Sequence, residues 1–269
     1  AKKYFFEKGI PVIMPLNTKE ETTFFHCNES YFALFPFIEA KHFERNELSD
    51  KAIVSLGEML AKIHLAGNDA LVPIQERFAG WNKNKLLERI AELRSVIIKT
   101  ESLDEFDIQA LRDIDLRESI ITSNKTTFED LDLPSDHLIH GDYHGGNVFF
   151  DDEDRISHVF DLEKSLFAPR MFELFRSTVF IFFGDTFSEQ SIDKARLYIQ
   201  AYVSVYPASK EELRKGLTLF YLRFVHGLWV QTEHYLKANT RVDQFLSQDY
   251  ERIKYLSENL DSLADKLIA

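Results

Sequence analysis

The sequence predicts an α+β chain whose strands and helices are segregated rather than alternating, and three observations carry that expectation. Short aromatic and β-branched runs open the chain and recur once near its middle. Apolar residues at helical spacing fill most of the remainder, and nowhere do strand and helix patterns alternate as a doubly wound parallel sheet would require. With 269 residues and 45% hydrophobic content, the chain has ample material for a packed core, in one large domain or in two lobes sharing a cleft.

Taken in order, Lys2 to Lys8 reads as the last turns of a helix, stopped by Gly9, which tolerates a left-handed backbone, and by Pro11 just beyond. Thr23 to His26 and Ser30 to Ile38 are strand-like runs joined through Cys27-Asn28-Glu29, the pattern of a hairpin, with Pro36 expected at the strand's end. Ser49 or Asp50 can cap a helix carrying Ile53, Leu56, Leu60 and Ile63 on one face and ending at Gly67. Further helices are expected over 81–99 and 103–119, followed by a polar connection to Pro134. His137 to His140, Val148 to Phe150 and Ile156 to Phe160 then form three short extended segments, divided by Gly141 to Asn147 and by the turn-forming Asp151-Asp152-Glu153-Asp154. After Pro169 the pattern is helical, with breaks at Pro207 and around Asn239-Thr240.

A net charge of −12 argues against non-specific attraction to nucleic acid or to an anionic membrane. No apolar run is long enough to cross a bilayer, and the first residues show no signal-peptide pattern. A soluble, cytoplasmic protein follows as the expectation. Cys27 is the single cysteine, which excludes an internal disulfide and a cysteine-built zinc site; it reads as a small, partly buried hydrophobe. The 24 Phe and 10 Tyr are spread along the chain, which suits core filling better than base stacking.

The chemistry concentrates in His140-Gly141-Asp142-Tyr143-His144-Gly145-Gly146-Asn147 and in Val159-Phe160-Asp161. Phosphoryl transfer from ATP to a hydroxyl needs a carboxylate near the attacking oxygen, and hard oxygen ligands holding magnesium against the phosphates. Asp142, Asn147 and Asp161 supply those groups. Asp142 and Asn147 share one loop, so the carboxylate can face the acceptor while the amide turns toward a metal; a hairpin strand returns Asp161 to the same ion. His140 is expected to hold the loop by packing and hydrogen bonding rather than to transfer protons, and His144 to shape the loop or to neighbour the phosphates.

HGDYHGGNVFFDD followed by HVFDLEKSLFAPRMFELFRS resembles the catalytic and metal-binding segments of the aminoglycoside phosphotransferase and choline kinase superfamily, relatives of the protein kinases. The resemblance implies a two-lobed protein-kinase-like fold: residues 1–39 would be the remainder of a small nucleotide-binding lobe and hinge, and residues 40–269 a larger, mainly helical lobe for catalysis and acceptor binding. It makes Asp142 the catalytic carboxylate and Asn147 and Asp161 the magnesium ligands. Glu163 would be a second acid, and Glu173 would lie in a structural hydrogen-bond network. Phe35, Pro36 and Ile38 would form the nucleotide hinge, with the Pro36 carbonyl and the Ile38 N–H facing adenine. The expected cofactors are ATP and magnesium, and the expected partner is a small-molecule hydroxyl acceptor such as an aminoglycoside, amino alcohol, sugar or amino acid. Glu163, Glu173, Asp185 and Glu233 are candidate acids for facing a cationic acceptor. The glycine-rich phosphate-covering hairpin and the ATP-gripping lysine of the family pattern are absent ahead of Gly9, so the small lobe is incomplete in this sequence and the natural polypeptide is expected to begin before Ala1.

Two other functions fit parts of the sequence. Gly141-Asp142-Tyr143-His144-Gly145 also matches the GDxHG of metallophosphatases, but the later Gly-Asp and Gly-Asn-His segments of those enzymes do not occur, and His158, His226 and His234 lie in unsuitable contexts. A non-catalytic kinase-like nucleotide-binding protein would account for the missing hairpin and lysine. Retention of Asp142, Asn147 and Asp161 opposes it.

Overall fold

The computed structural model describes residues 1–43, 47–100, 102–184 and 186–269. The described residues are mixed helix and strand, mostly helical, and fall into two compact units. The first comprises Ala1–Phe78, Pro134–Phe182 and Asp193–Ala208, the second Ala79–Leu133, Phe183–Ile192 and Ser209–Ala269.

The first unit opens with helix α1 (Lys2–Glu7), which Gly9 terminates at φ +81°. Strands β1 (Phe25–Cys27) and β2 (Ser30–Phe32) pair antiparallel with Cys27 opposite Ser30. Asn28 takes the left-handed conformation that the tight turn demands. The second strand is shorter than expected. Beyond Phe32 the chain leaves its partner: the Leu34 carbonyl accepts from the Leu16 N–H, and Pro36 has no N–H with which to continue a ladder. Every residue of both strands is exposed, so Cys27 is exposed rather than partly buried.

Helix α2 (Asp50–Gly67) is capped by Ser49, whose side chain accepts from the Ala52 N–H. Its apolar face buries Ile53, Leu56, Leu60 and Ile63 completely, each burial stabilising the fold by roughly 1.5–3 kcal/mol. Strands β3 (His137–Ile139), β4 (Val148–Phe150), β5 (Ile156–Val159) and β6 (Leu166–Ala168) follow. β4 and β5 form an antiparallel hairpin with Val148 opposite Val159, whereas β3 pairs antiparallel with β6. The sequence does not single out β6, because three residues ahead of Pro169 carry no period of their own; pairing with β3 creates it. Helix α5 (Arg170–Phe182) follows these strands, two helices of the second unit lying earlier in the chain. The hydroxyl of buried Tyr143 donates to the Leu56 carbonyl at 3.0 Å and ties the loop between β3 and β4 to α2.

The second unit contains α3 (Lys83–Ile97), capped by Asn82, and α4 (Glu105–Ser123), opened by a reciprocal capping box between Asp104 and Asp107. It also holds α7 (Lys210–Val225), α8 (Trp229–Lys237) and α9 (Leu246–Ile268), while α6 (Glu189–Val205) begins in this unit and continues in the first. Ile90, Leu93, Ile97, Ile114, Leu217, Val225, Ile253 and Leu256 are fully buried in it. A buried Arg117 donates to Asp113 and to the carbonyls of Phe224 and Val225 at the end of α7.

Candidate active site

The polar site belongs wholly to the first unit and is assembled from the ends of short strands. The loop after β3 turns at Gly141, whose φ is +86° and whose position would bring any Cβ to 2.0 Å from the Lys164 carbonyl oxygen. Only glycine fits so close an approach in that conformation. Buried Glu173, on the first turn of α5, fastens the turn: it accepts from the His140 N–H at 2.9 Å, from the Gly141 N–H at 2.5 Å and from His64 Nε2 at 3.0 Å. Burial alone would raise the Glu173 pKa, but the hydrogen bond and charge interaction with His64 lower it below the usual range.

His140 is fully buried, and its Nε2–H donates to the Phe160 carbonyl at 2.9 Å while its Nδ1 accepts from the Asp142 N–H at 3.2 Å. Burial lowers its pKa and keeps the ring neutral. It thereby spans the loop and the end of β5. His144 caps the following single turn, Nδ1 accepting from the Gly146 N–H at 3.0 Å, and its Nε2 lies 4.0 Å from Asp142 Oδ1.

Asp142 presents a carboxylate with both oxygens engaged. Arg176 Nη2 donates to Oδ1 and Lys164 Nζ to Oδ2, each at 2.6 Å. Burial would raise its pKa, yet the charges and hydrogen bonds of Arg176 and Lys164 outweigh it and hold the group at about 2. Asn147 is buried, and its amide nitrogen donates to the Asp142 carbonyl at 2.8 Å, which leaves the amide oxygen as its other polar end. Beside it, the Asn147 carbonyl accepts from the Phe160 N–H at 3.1 Å, so the β4–β5 hairpin delivers Asp161 next to this loop. Asp161 adopts a left-handed φ of +60°, a conformation that Asp tolerates. Its carboxyl is hydrogen-bonded to Glu163: that bond and burial raise the Asp161 pKa above its ordinary value, while Glu163, bonded to Asp161 and paired with Lys2, is held at about 2.

An adjoining cleft of about 540 Å³ runs from this acidic pair to the segment Phe35 to Ile38. Ile13, Phe35, Pro36, Phe37, Ile38, Phe149 and Phe160 wall it, and Lys2, Asp161 and Glu163 form its polar end. The donor set beside it is all hard oxygen, an amide and a carboxylate with a second acid in contact, which suits a magnesium ion completed by phosphates and water. Among the described residues no group of three or more His, Cys, Asp or Glu side chains is placed to hold a metal. The Asp142 and His144 pair therefore has no further such ligands with which to build a two-metal centre.

The remaining acids nominated from sequence are committed to other contacts. Glu173 is fully buried with its oxygens occupied, and Glu233, in the second unit, accepts from Lys237 and Asn239. Asp185 lies outside the described residues. Lys164, Arg176 and Lys2 are charged residues of the site to which the sequence assigns no role there. Arg176 stands one helical turn after Glu173, so both project from one face of α5, and Lys164 directly follows Glu163; those spacings are the only signals that could have found them.

The sequence model described as the phosphotransferase enzyme family matches residues 3–208. No curated protein matches the chain by sequence. Among solved structures, a spectinomycin phosphotransferase in complex with ADP and spectinomycin is similar at a TM-score of 0.60 and 20% identity, covering 99% of this chain and 81% of that one. Plasmodium vivax ethanolamine kinase gives 0.57 at 15% identity over 98% and 72% of the two chains. Choline kinase from Cryptosporidium parvum gives 0.55 at 14% identity over 91% and 75%. The fold is thus shared with these kinases.

Proposed function

The chain belongs to the phosphotransferase enzyme family, and from that premise we propose that it transfers the γ-phosphate of ATP to a hydroxyl of a small molecule. One observation carries this reading: the Asn147 amide holds the Asp142 main-chain carbonyl, the Asn147 carbonyl holds the Phe160 N–H ahead of Asp161, and Asp161 lines the polar end of an apolar cleft. The apolar walls suit a purine ring, and the ADP held by the related spectinomycin phosphotransferase supports a nucleotide there. We assign Phe35, Pro36 and Ile38 to the adenine edge.

Asp142 orients the acceptor. With its pKa at about 2 it stays ionised at neutral pH and is a weak base, so it accepts a hydrogen bond from the hydroxyl and gains the proton only as the new O–P bond forms. The bond between the γ-phosphorus and the β,γ-bridging oxygen breaks with its electron pair leaving on ADP, and the proton passes on to water. Such late proton transfer suits the loose transition state of phosphoryl transfer. His140 and Glu173 keep the loop in place, and the Asn147 amide nitrogen holds the Asp142 carbonyl. Asn147 Oδ1 and Asp161 would hold magnesium, which supplies charge neutralisation to the phosphates when bound.

The test is ATP consumption by the purified protein over a panel of hydroxylated amines, sugars and amino acids, alongside Mg-dependent nucleotide binding. Turnover that requires both an acceptor and Asp142 is expected. Magnesium-dependent ATP binding with no transfer to any acceptor would favour the non-catalytic reading.

A further inference from the structure

Within the first unit, neither Glu163 nor Glu173 contacts the Asp142 carboxylate. Instead two cations do. Lys164 Nζ and Arg176 Nη2 each lie 2.6 Å from one oxygen of the Asp142 carboxylate. Glu163 is spent at the polar end of the nucleotide cleft, on Asp161 and Lys2. Glu173 offsets part of the Arg176 charge, but it is fully buried and committed to backbone N–H groups and His64.

What an incoming compound meets is therefore Lys164, whose side chain is 67% exposed and has two further N–H donors to offer. Its backbone is anchored against Gly141, so the ammonium stays near the site. Arg176 adds a second donor of the same sign. Its Nη1 is buried with no hydrogen-bond partner, an omission that a folded protein tolerates poorly unless a ligand or water fills it.

We propose that Lys164 and Arg176 select the acceptor by charge: the compound phosphorylated carries an oxyanion, a carboxylate or a phosphate, beside its reacting hydroxyl. The inference rests on the phosphotransferase reading above and names the substrate class of that site. An amine two or three bonds from a hydroxyl seated on Asp142 would lie within about 5 Å of the Lys164 ammonium. At that range and partial exposure, like charges disfavour binding on the order of ten- to a hundredfold. Arg176, with Nη2 on Asp142 and Nη1 buried, adds positive charge beside the site and leaves direct contact with the oxyanion to Lys164. In this arrangement Lys164 turns from Asp142 to the ligand's anionic group and frees Oδ2 for the acceptor hydroxyl.

Two matched series test the charge preference independently of shape: D-glycerate, glycerol 3-phosphate, glycerol and 3-amino-1,2-propanediol; then gluconate, glucose 6-phosphate, glucose and glucosamine. The carboxylate and phosphate arms separate the two oxyanion sources. Binding is measured by calorimetry without nucleotide, and ATP consumption with Mg-ATP, for the parent, Lys164→Met and Lys164→Arg. In at least one series an anionic member should exceed its amine counterpart tenfold or more. Lys164→Met should erase most of that ratio, and Lys164→Arg should keep it. Preference for the amine, a ratio unchanged by Lys164→Met, or no binding of any anionic member would overturn the proposal. Anion binding that depends on Lys164 but is accompanied by no nucleotide binding would uphold the charge assignment and sink the phosphotransferase reading instead.

Discussion

Asp142→Asn separates the two things that this carboxylate does, because it removes the charge and keeps the shape. The fall of the Asp142 pKa from 3.8 to about 2, at about 1.4 kcal/mol per unit, corresponds to about 2 kcal/mol of native-state stability from Arg176 and Lys164. The Asp142 side chain is 12% exposed and Arg176 21%, so solvent screens that pair little, whereas Lys164, 67% exposed, contributes the smaller share. Since the native pKa lies below the unfolded one, this stability is present in full above pH 4 and is lost as pH falls toward 2. Urea unfolding at pH 7 should find Asp142→Asn about 2 kcal/mol less stable than the parent, with the gap narrowing between pH 4 and pH 2. On the catalytic side, losing the orienting carboxylate should lower kcat by two or more orders of magnitude, measured where the variant remains folded. The parent's pH–rate profile should show no Asp142 titration above pH 4. Equal stability at pH 7 would mean that the ion pairs contribute nothing, and near-normal turnover would remove Asp142 from the mechanism.

Asn147→Ala and Asp161→Ala should each weaken magnesium-dependent ATP binding while leaving magnesium-free binding nearly unchanged; titrations with and without the metal decide this, and parental behaviour in both would refute the metal roles. Gly141→Ala must force a side chain into a left-handed backbone and against the Lys164 carbonyl, so a loss of about 3 kcal/mol is expected in chemical unfolding. A crystal structure with bound nucleotide should show the adenine edge at the Pro36 carbonyl and the Ile38 N–H, and a base seated elsewhere would refute the hinge assignment.

The sequence by itself determined what depends on near neighbours along the chain. Ser49 and the apolar period of Ile53, Leu56, Leu60 and Ile63 fix α2, because capping and amphipathic spacing act within a few residues. Gly9 and Asn28 mark their turns for the same reason. HGDYHGGN and Asp161 were legible as a group because one loop and one hairpin connect them, and the structure brings them together through the Val148 and Val159 pairing. Long-range contacts decided the rest. β6 exists because β3 completes its ladder, and β2 stops where Leu34 finds Leu16 instead. The electrostatic state of the site came from residues with no motif of their own: Arg176 from α5, Lys164 from the turn after Asp161, and Lys2 from the opening helix. Charges act through space and solvent exclusion, and no spacing along the chain records which cation will stand 2.6 Å from which carboxylate.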